Sequence, residues 1–474
     1  MFFLRKHQTT LLTFSSILLY FFCGYFLERT SFYLLSFLWL SLFGCFYLLL
    51  KNTQISFNNL VGISILFRLI FLFAMPNLSQ DFYRFIWDGR MIFEGLNPYL
   101  SLPETFIQQH NYPVAQAKEL YAGMGELNGS HYTNYPPLNQ LCFLIAALFS
   151  SKSIFGSVIV LRLIIILADI GILYFGKQLL ESLQLPIKNI FWYILNPFII
   201  IEMTGNLHFE PVMLFFLIFG MYKLHQQKWI WAAVLIACSV SVKLIPLLFL
   251  PLFFQWFVQH KNSIKGSTKQ SLIQDENLSS KTSYHDKLKG FIQLITFYGI
   301  ILITVIMVFV PFYSSTLIEN YSNSVGLWFK TFEFNASFYY IFREIGYLFR
   351  GYNEIAIIGT ITPILTILFL IALTFFRKNT STIQLFTGML FGLSCYYFTA
   401  TTMHPWYLAT PIILSIFTKY KFPIVWSLVI ILSYQAYANT PWQENLWFVS
   451  FEYIFLYVYL IYEIRKNNRN KIQI

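Results

Sequence analysis

The sequence predicts an all-α, polytopic membrane protein, and three observations carry that prediction. Of 474 residues, 57% are hydrophobic, 20% aromatic and only 11% charged, which is too apolar for a soluble domain and too long for a single anchor. Apolar runs of roughly 15 to 22 residues, near the length a helix needs to cross lipid, recur along the chain between short polar knots. The runs are continuous rather than alternating, so they read as helices and not as the strands of a membrane barrel. The net charge of +11 is spread over the ends of the runs, as cytoplasmic anchoring charges are, and does not form a nucleic-acid patch. Five cysteines (Cys23, Cys45, Cys142, Cys238, Cys395) lack metal-type spacing and read as small core residues.

Taken in order, Arg5 and Lys6 precede the run Leu11 to Leu27 without a small-residue cleavage site after it, so this run reads as a first membrane helix leaving the cytoplasm. Phe32 to Leu50 returns to Lys51, and Leu60 to Met75 exits again. Residues 1–56 thus form an N-terminal hairpin, and 57–258 a second module with a long external loop at 77–156. Six acids against three bases between Asn77 and Tyr135 suit that side. Pro136 to Phe149 is apolar but short, and counting it as a span would turn every later basic loop outward, so it is read as an interfacial helix of the loop. Lys118 is then external, and Lys188 and Lys269 cytoplasmic. Two hairpins follow, with outer tips at Gly205 to Glu210 and at Lys243. The Ser- and Lys-rich stretch at 259–290 reads as a cytoplasmic linker, and 291–474 as a C-terminal membrane module. The total is about thirteen spans, with Arg68, Arg162, Asp169 and Glu202 inside them as either interhelical pairs or functional groups.

The polar focus is Leu78 to Tyr99, LSQDFYRFIWDGRMIFEGLNPY. Asp81, Phe85 and Asp88 fall at i, i+4 and i+7, so a helix here places both carboxylates on one face with Arg84 in reach of Asp81. Gly95 and Asn97-Pro98 end it. A carboxylate beside aromatic rings at a membrane surface suits proton abstraction from a hydroxyl; the alternative is an interfacial helix whose charges are simply solvated. The other polar groups expected on the same side are Asn206, His208 and Glu210, Lys243, and His404.

Ser-x-Asp-x-Tyr-Arg-x-x-Trp-Asp-Gly, Gly-x-Asn-Pro-Tyr, Tyr135-Pro-Pro-Leu138, Asn196-Pro197, Gly205-x-x-His208-x-Glu210, Lys243-x-x-Pro246 and His404-Pro-Trp-Tyr407 occur in that order. This series resembles the GT-C superfamily of polytopic mannosyltransferases, which use polyprenyl-phosphate sugars. The resemblance implies a polyprenyl-phosphate sugar donor, a glycan or glycolipid acceptor, a position in the plasma membrane with the active site on the extracytoplasmic side, and interface-lying helices in the first external loop. It makes Asp81 the catalytic base of an inverting transfer. Arg84, Lys243 and His404 become candidates for the donor phosphate, and His208, Glu210, Asp88, Trp406 and Tyr407 for the sugar or acceptor. Asp88 reads equally as a support of the loop at a turn before Gly89, and Trp87, Trp406 and Tyr407 as interfacial belt aromatics. Many relatives carry two adjacent acids where this chain has Gln80-Asp81, so no cofactor is expected and a divalent metal is not expected to be essential. A transporter or flippase, or a non-catalytic envelope assembly protein, remains the alternative; a transporter is expected to show two related halves or a charged central pathway.

Overall fold

A computed structural model describes residues 2–259, 284–330 and 332–472. The described chain is helical throughout, apart from one isolated parallel bridge between Phe334 and Thr402. In order, the N-terminal part contains α1 (Phe2–Tyr25), α2 (Phe32–Lys51), α3 (Phe57–Ile70), α4 (Asp81–Phe93), α5 (Pro103–Gln108), α6 (Ala117–Gly129), α7 (Pro137–Ser150) and α8 (Ile154–Ser182). It continues with α9 (Phe191–Ile194), α10 (Glu210–His225), α11 (Trp229–Val242) and α12 (Phe253–Gln259). After the linker come α13 (Tyr284–Phe309), α14 (Leu317–Lys330), α15 (Phe338–Arg350), α16 (Ile355–Phe376), α17 (Thr382–Thr399), α18 (Ala409–Ile416), α19 (Phe422–Val429) and α20 (Leu446–Ile472).

Five of the described helical segments are long and apolar enough to cross a membrane: α2, α8, His285–Phe312, α16 and Leu446–Arg469. A sixth is counted if the bent pair Ile199–Gly205 and α10 forms one span. Several other expected spans, among them α3 and α11, are shorter apolar helices, and so is α7, which the sequence reads as interfacial. Linker residues 260–283, with Lys269, lie outside the described residues, while helix α13 already runs from Tyr284, ahead of the expected linker end at Gly290.

The chain around α4 is positioned by identifiable local devices. Its C-terminus closes on Gly95 at φ 77°, with Leu96 N–H donating to Met91 O at 2.8 Å and Gly95 N–H to Ile92 O at 3.0 Å, the paired bonds of a left-handed helix stop. Gly89 is in mid-helix, where a Cβ would meet the Phe143 carbonyl oxygen at 2.2 Å. Glycine there lets α4 and α7 touch backbone to side, and the expected turn at Asp88-Gly89 is absent. Phe85 and Phe143 stack across the same contact at 4.6 Å.

Where the first hairpin is expected, the chain bends sharply between two helical segments. Asn196-Pro197 breaks the helix, a wide-turn segment runs over Ile199–Gly205, and α10 leaves at 111°. Proline removes a backbone donor and obstructs the preceding turn, and the freed carbonyls at the far end need partners. Arg162 supplies them, donating to Thr204 O at 2.8 Å, Gly205 O at 3.0 Å and Leu72 O at 3.0 Å. Asn206 then docks the stretch before α4, its Oδ1 accepting from Asn77 N–H at 3.2 Å and Leu78 N–H at 2.9 Å. Arg68 and Asp169 form a buried pair at 2.8 Å, so three of the intramembrane charges are structural.

Candidate active site

These devices bring the ends of many elements to one cavity of about 320 Å³. Asp81, Arg84, His208, Glu210, Lys243, His404, Trp406 and Tyr407 all line it, although they span more than three hundred positions of sequence. Asp88 does not. It is fully buried, receives Arg84 Nε at 2.8 Å and accepts from Gln140 Nε2 at 2.9 Å. Asp88 thus lies outside the cavity that the other candidates line, held in an ion pair rather than at a turn. Trp87 is buried and packs near Phe106, so it is no belt residue.

The expected Asp81–Arg84 contact is absent because Arg84 chooses its other helical neighbour. Both i−3 and i+4 are within reach on a helix, and two further acceptors decide between them: Arg84 Nη1 donates to Asn128 O at 2.5 Å and to His131 O at 3.0 Å. Its Nη2 is buried without a hydrogen-bond partner among the described residues while the side chain lines the cavity. Asp81 is half-buried at the first position of α4, and its carboxylate accepts from Asn128 Nδ2 at 3.5 Å. Burial pushes its carboxyl above the usual range, against the opposing pull of Arg29 and then Lys243. A carboxylate with few partners and a raised pKa is a stronger base than a solvated one.

Lys243 caps α11 in an extended conformation, which turns its ammonium onto Glu210 in a close ion pair and 4.9 Å above the Tyr407 ring. Glu210 opens α10, where a negative charge is favoured by the helix dipole.

His208, Trp406, His404 and Phe332 form a continuous stack. His208 lies 4.1 Å from Trp406, Trp406 4.4 Å from His404, and His404 5.8 Å from Phe332. Both faces of Trp406 are covered by imidazoles, so only its edge can meet a ligand. Burial, with the charges of Lys243 and Arg29, pushes His404 down to about 3. It is a neutral hydrogen-bonding group at physiological pH. Phe332 is held there by the bridge of 332–334 to 401–403: Phe334 N–H donates to Thr401 O at 3.1 Å, Met403 N–H to Phe334 O at 2.8 Å, and the Thr402 hydroxyl to Phe332 O at 2.8 Å.

Sequence reasoning missed Arg29, Tyr437, Trp442 and Phe332, which also line the cavity. Arg29 lies in the turn between α1 and α2, its guanidinium 3.4 Å over the Tyr437 ring. Lys243 pairs with Glu210 and Arg84 with Asp88, whereas Arg29 makes no ion pair among the described residues. A lone base in a short turn that the sequence places outside, against the usual inside bias of Lys and Arg, was the available signal. Phe332, Tyr437 and Trp442 carried none.

Alpha-(1→6)-mannopyranosyltransferase A of Corynebacterium glutamicum is 25% identical to this chain over 193 residues, which cover 40% of this chain and 36% of the relative. The match thus spans little more than a third of that protein's length. No solved structure matches the chain. A family model described as the N-terminal domain of alpha-(1→6)-mannopyranosyltransferase matches residues 8–259, the segment that supplies Arg29, Asp81, Arg84, His208, Glu210 and Lys243. Because that match covers more than half of the chain, the protein belongs to the MptA_B family of alpha-(1→6)-mannopyranosyltransferases.

Proposed function

We propose that the protein is an integral membrane mannosyltransferase that moves a mannosyl group from a polyprenyl-phosphate donor to a hydroxyl of a glycan or glycolipid acceptor, with inversion, on the extracytoplasmic face of the plasma membrane. The observation that carries this reading is Asp81: within the family segment it is the carboxylate that opens into the cavity without an ion-pair partner among the described residues, opposite the cations Arg29 and Lys243. Asp81 accepts the acceptor's hydroxyl proton as the oxygen bonds to the anomeric carbon. The bond from that carbon to the phosphate oxygen breaks on the opposite face, and the polyprenyl phosphate leaves with the electron pair. Arg29, Lys243 and Arg84, whose Nη2 lacks a hydrogen-bond partner among the described residues, supply positive charge for the departing phosphate. The neutral rings of His404 and His208 offer hydrogen bonds to sugar hydroxyls.

The donor set argues against an essential metal. Gln80 stands where relatives carry a second acid, its amide donates to Met124 O at 2.9 Å, and Glu210 is committed to Lys243. Asp81 alone is a poor site for a hard divalent cation, which takes six or more oxygen ligands. About thirteen spans, with α4 to α7 lying at the outer interface, complete the reading. Impermeant labelling of single cysteines checks that topology: position 118 reacts from outside intact cells and 188 does not, and the reverse pattern contradicts it.

A radiolabelled transfer assay tests the function directly. Purified protein, defined polyprenyl-phosphate mannose and acceptor-bearing membrane extract should yield labelled glycan, undiminished by chelator. Labelled lipid that crosses vesicles without transfer would instead identify a transporter.

A further inference from the structure

Glu202 is fully buried in the wide-turn segment Ile199–Gly205 that precedes the bend, where an ionisable side chain is retained only at a cost. The capping of the break by Arg162 explains how the span bends but gives Glu202 no task. One of its carboxylate oxygens accepts a close hydrogen bond from the Tyr434 hydroxyl. The other, Oε2, faces His208 Nε2 at 3.6 Å. Each of these two atoms is buried and lacks a hydrogen-bond partner among the described residues. Two buried polar atoms of complementary character, each unsatisfied and each facing the other, form an incomplete hydrogen bond rather than a chance approach. Catalytic hydrogen bonds are often long without substrate and tighten when it binds.

The second side of His208 fixes what such a bond would do. The ring is stacked on Trp406 at 4.1 Å and 17°, which prevents it from tilting, and His208 lines the cavity. With Nε2 turned to the carboxylate, Nδ1 is the ring's remaining polar atom. We propose that Glu202, fixed by Tyr434, is a positioning residue that holds the His208 proton on Nε2 and so presents Nδ1 to the cavity as an acceptor for a substrate hydroxyl. The assignment deepens the transferase reading and rests on it. The ligand class is the hydroxyl of a pyranose, which donates to Nδ1 while its other oxygens remain free. Glu202 acts only through His208 and touches no substrate.

The principle is that of the carboxylate in a hydrolase triad, which selects the imidazole tautomer without itself taking a proton. It makes Glu202→Gln the informative variant. The amide retains the volume, and its oxygen still accepts from Tyr434, but its NH₂ then faces Nε2 and forces the proton to Nδ1, where a donor replaces the acceptor. The expected result is a fall in kcat of at least about tenfold, with donor KM and folded yield close to wild type. His208→Gln should cause a comparable fall, and Glu202→Gln should add little in that background, since the two act as one unit. Tyr434→Phe, which frees the carboxylate but retains it, should give a smaller fall that likewise vanishes with His208→Gln, and it keeps the test decisive if Glu202→Gln folds poorly. Multiplicative losses in the double variants, or wild-type kcat in folded Glu202→Gln, would overturn the assignment. Absence of transfer by the wild-type protein would instead overturn the function on which it rests.

Discussion

The cavity has two walls of different chemistry. The wall built from α4, the start of α10 and the end of α11 is ionic: its charges are paired or set by neighbours, with Lys243 on Glu210 and Arg84 on Asp88. The wall from the C-terminal part is aromatic, with Phe332, Trp406, Tyr437 and Trp442. The ionic wall lies within residues 8–259, which match the family model, whereas the aromatic wall lies beyond them. Proton transfer and charge neutralisation need fixed charges at fixed distances, while binding a glycan needs area and shape. In the proposed transfer the family segment carries the chemistry and the C-terminal part selects what is presented to it.

Substitutions on the two walls should therefore separate kcat from KM. Asp81→Asn is expected to have the largest effect on turnover, about 10² to 10⁴ in rate with donor binding nearly intact, as for loss of a general base; retained turnover would break the contrast. Asp88→Asn, two turns along α4 from Asp81 and outside the cavity, strips the buried Arg84 of its counter-charge and should cost about 3 to 5 kcal/mol of stability, read as a lower thermal midpoint, while the folded fraction loses far less kcat than Asp81→Asn does. Arg29→Ala should raise donor KM by about tenfold, roughly the 1.4 kcal/mol of one charge-assisted contact, and a change confined to acceptor KM would reassign the residue. Trp442, at the cavity rim and 46% exposed, should show the smallest effect: Trp442→Ala is expected to raise acceptor KM by about 3- to 10-fold, the value of an aromatic face, without altering donor KM.

Much of this site was legible in the sequence, for reasons that also explain what was not. Helical periodicity set Asp81 and Asp88 on α4, and Gly95 marked its end, because both depend on neighbours in the chain. Ordered motifs gathered His208, Glu210, Lys243 and His404, which the structure brings to one cavity. Three-dimensional competition was invisible. The carbonyls of Asn128 and His131 decide that Arg84 pairs with Asp88, and stacking from both sides makes Trp406 a spacer between two histidines instead of a platform. Gly89 looked like a turn because a glycine required by a close helix contact has the same letter as one required by backbone conformation. The turn at Gly205 to Glu210 was readable, but not its 111° angle, since the carbonyls of Thr204 and Gly205 before it are held by Arg162 from the distant helix α8.

Asp81, its carboxyl pushed up by burial, is the base of the proposed transfer, and the most direct test of that role is the pH dependence of kcat/KM for transfer in the wild type and in Asp81→Asn. A base acts only when ionised, so wild-type activity should fall as the pH drops through the Asp81 pKa, with a midpoint above the ordinary Asp value of about 3.9. His404, already neutral down to about pH 3, contributes nothing to that limb. The residual activity of Asp81→Asn should lose it. The same acid limb persisting unchanged in the variant would contradict the assignment.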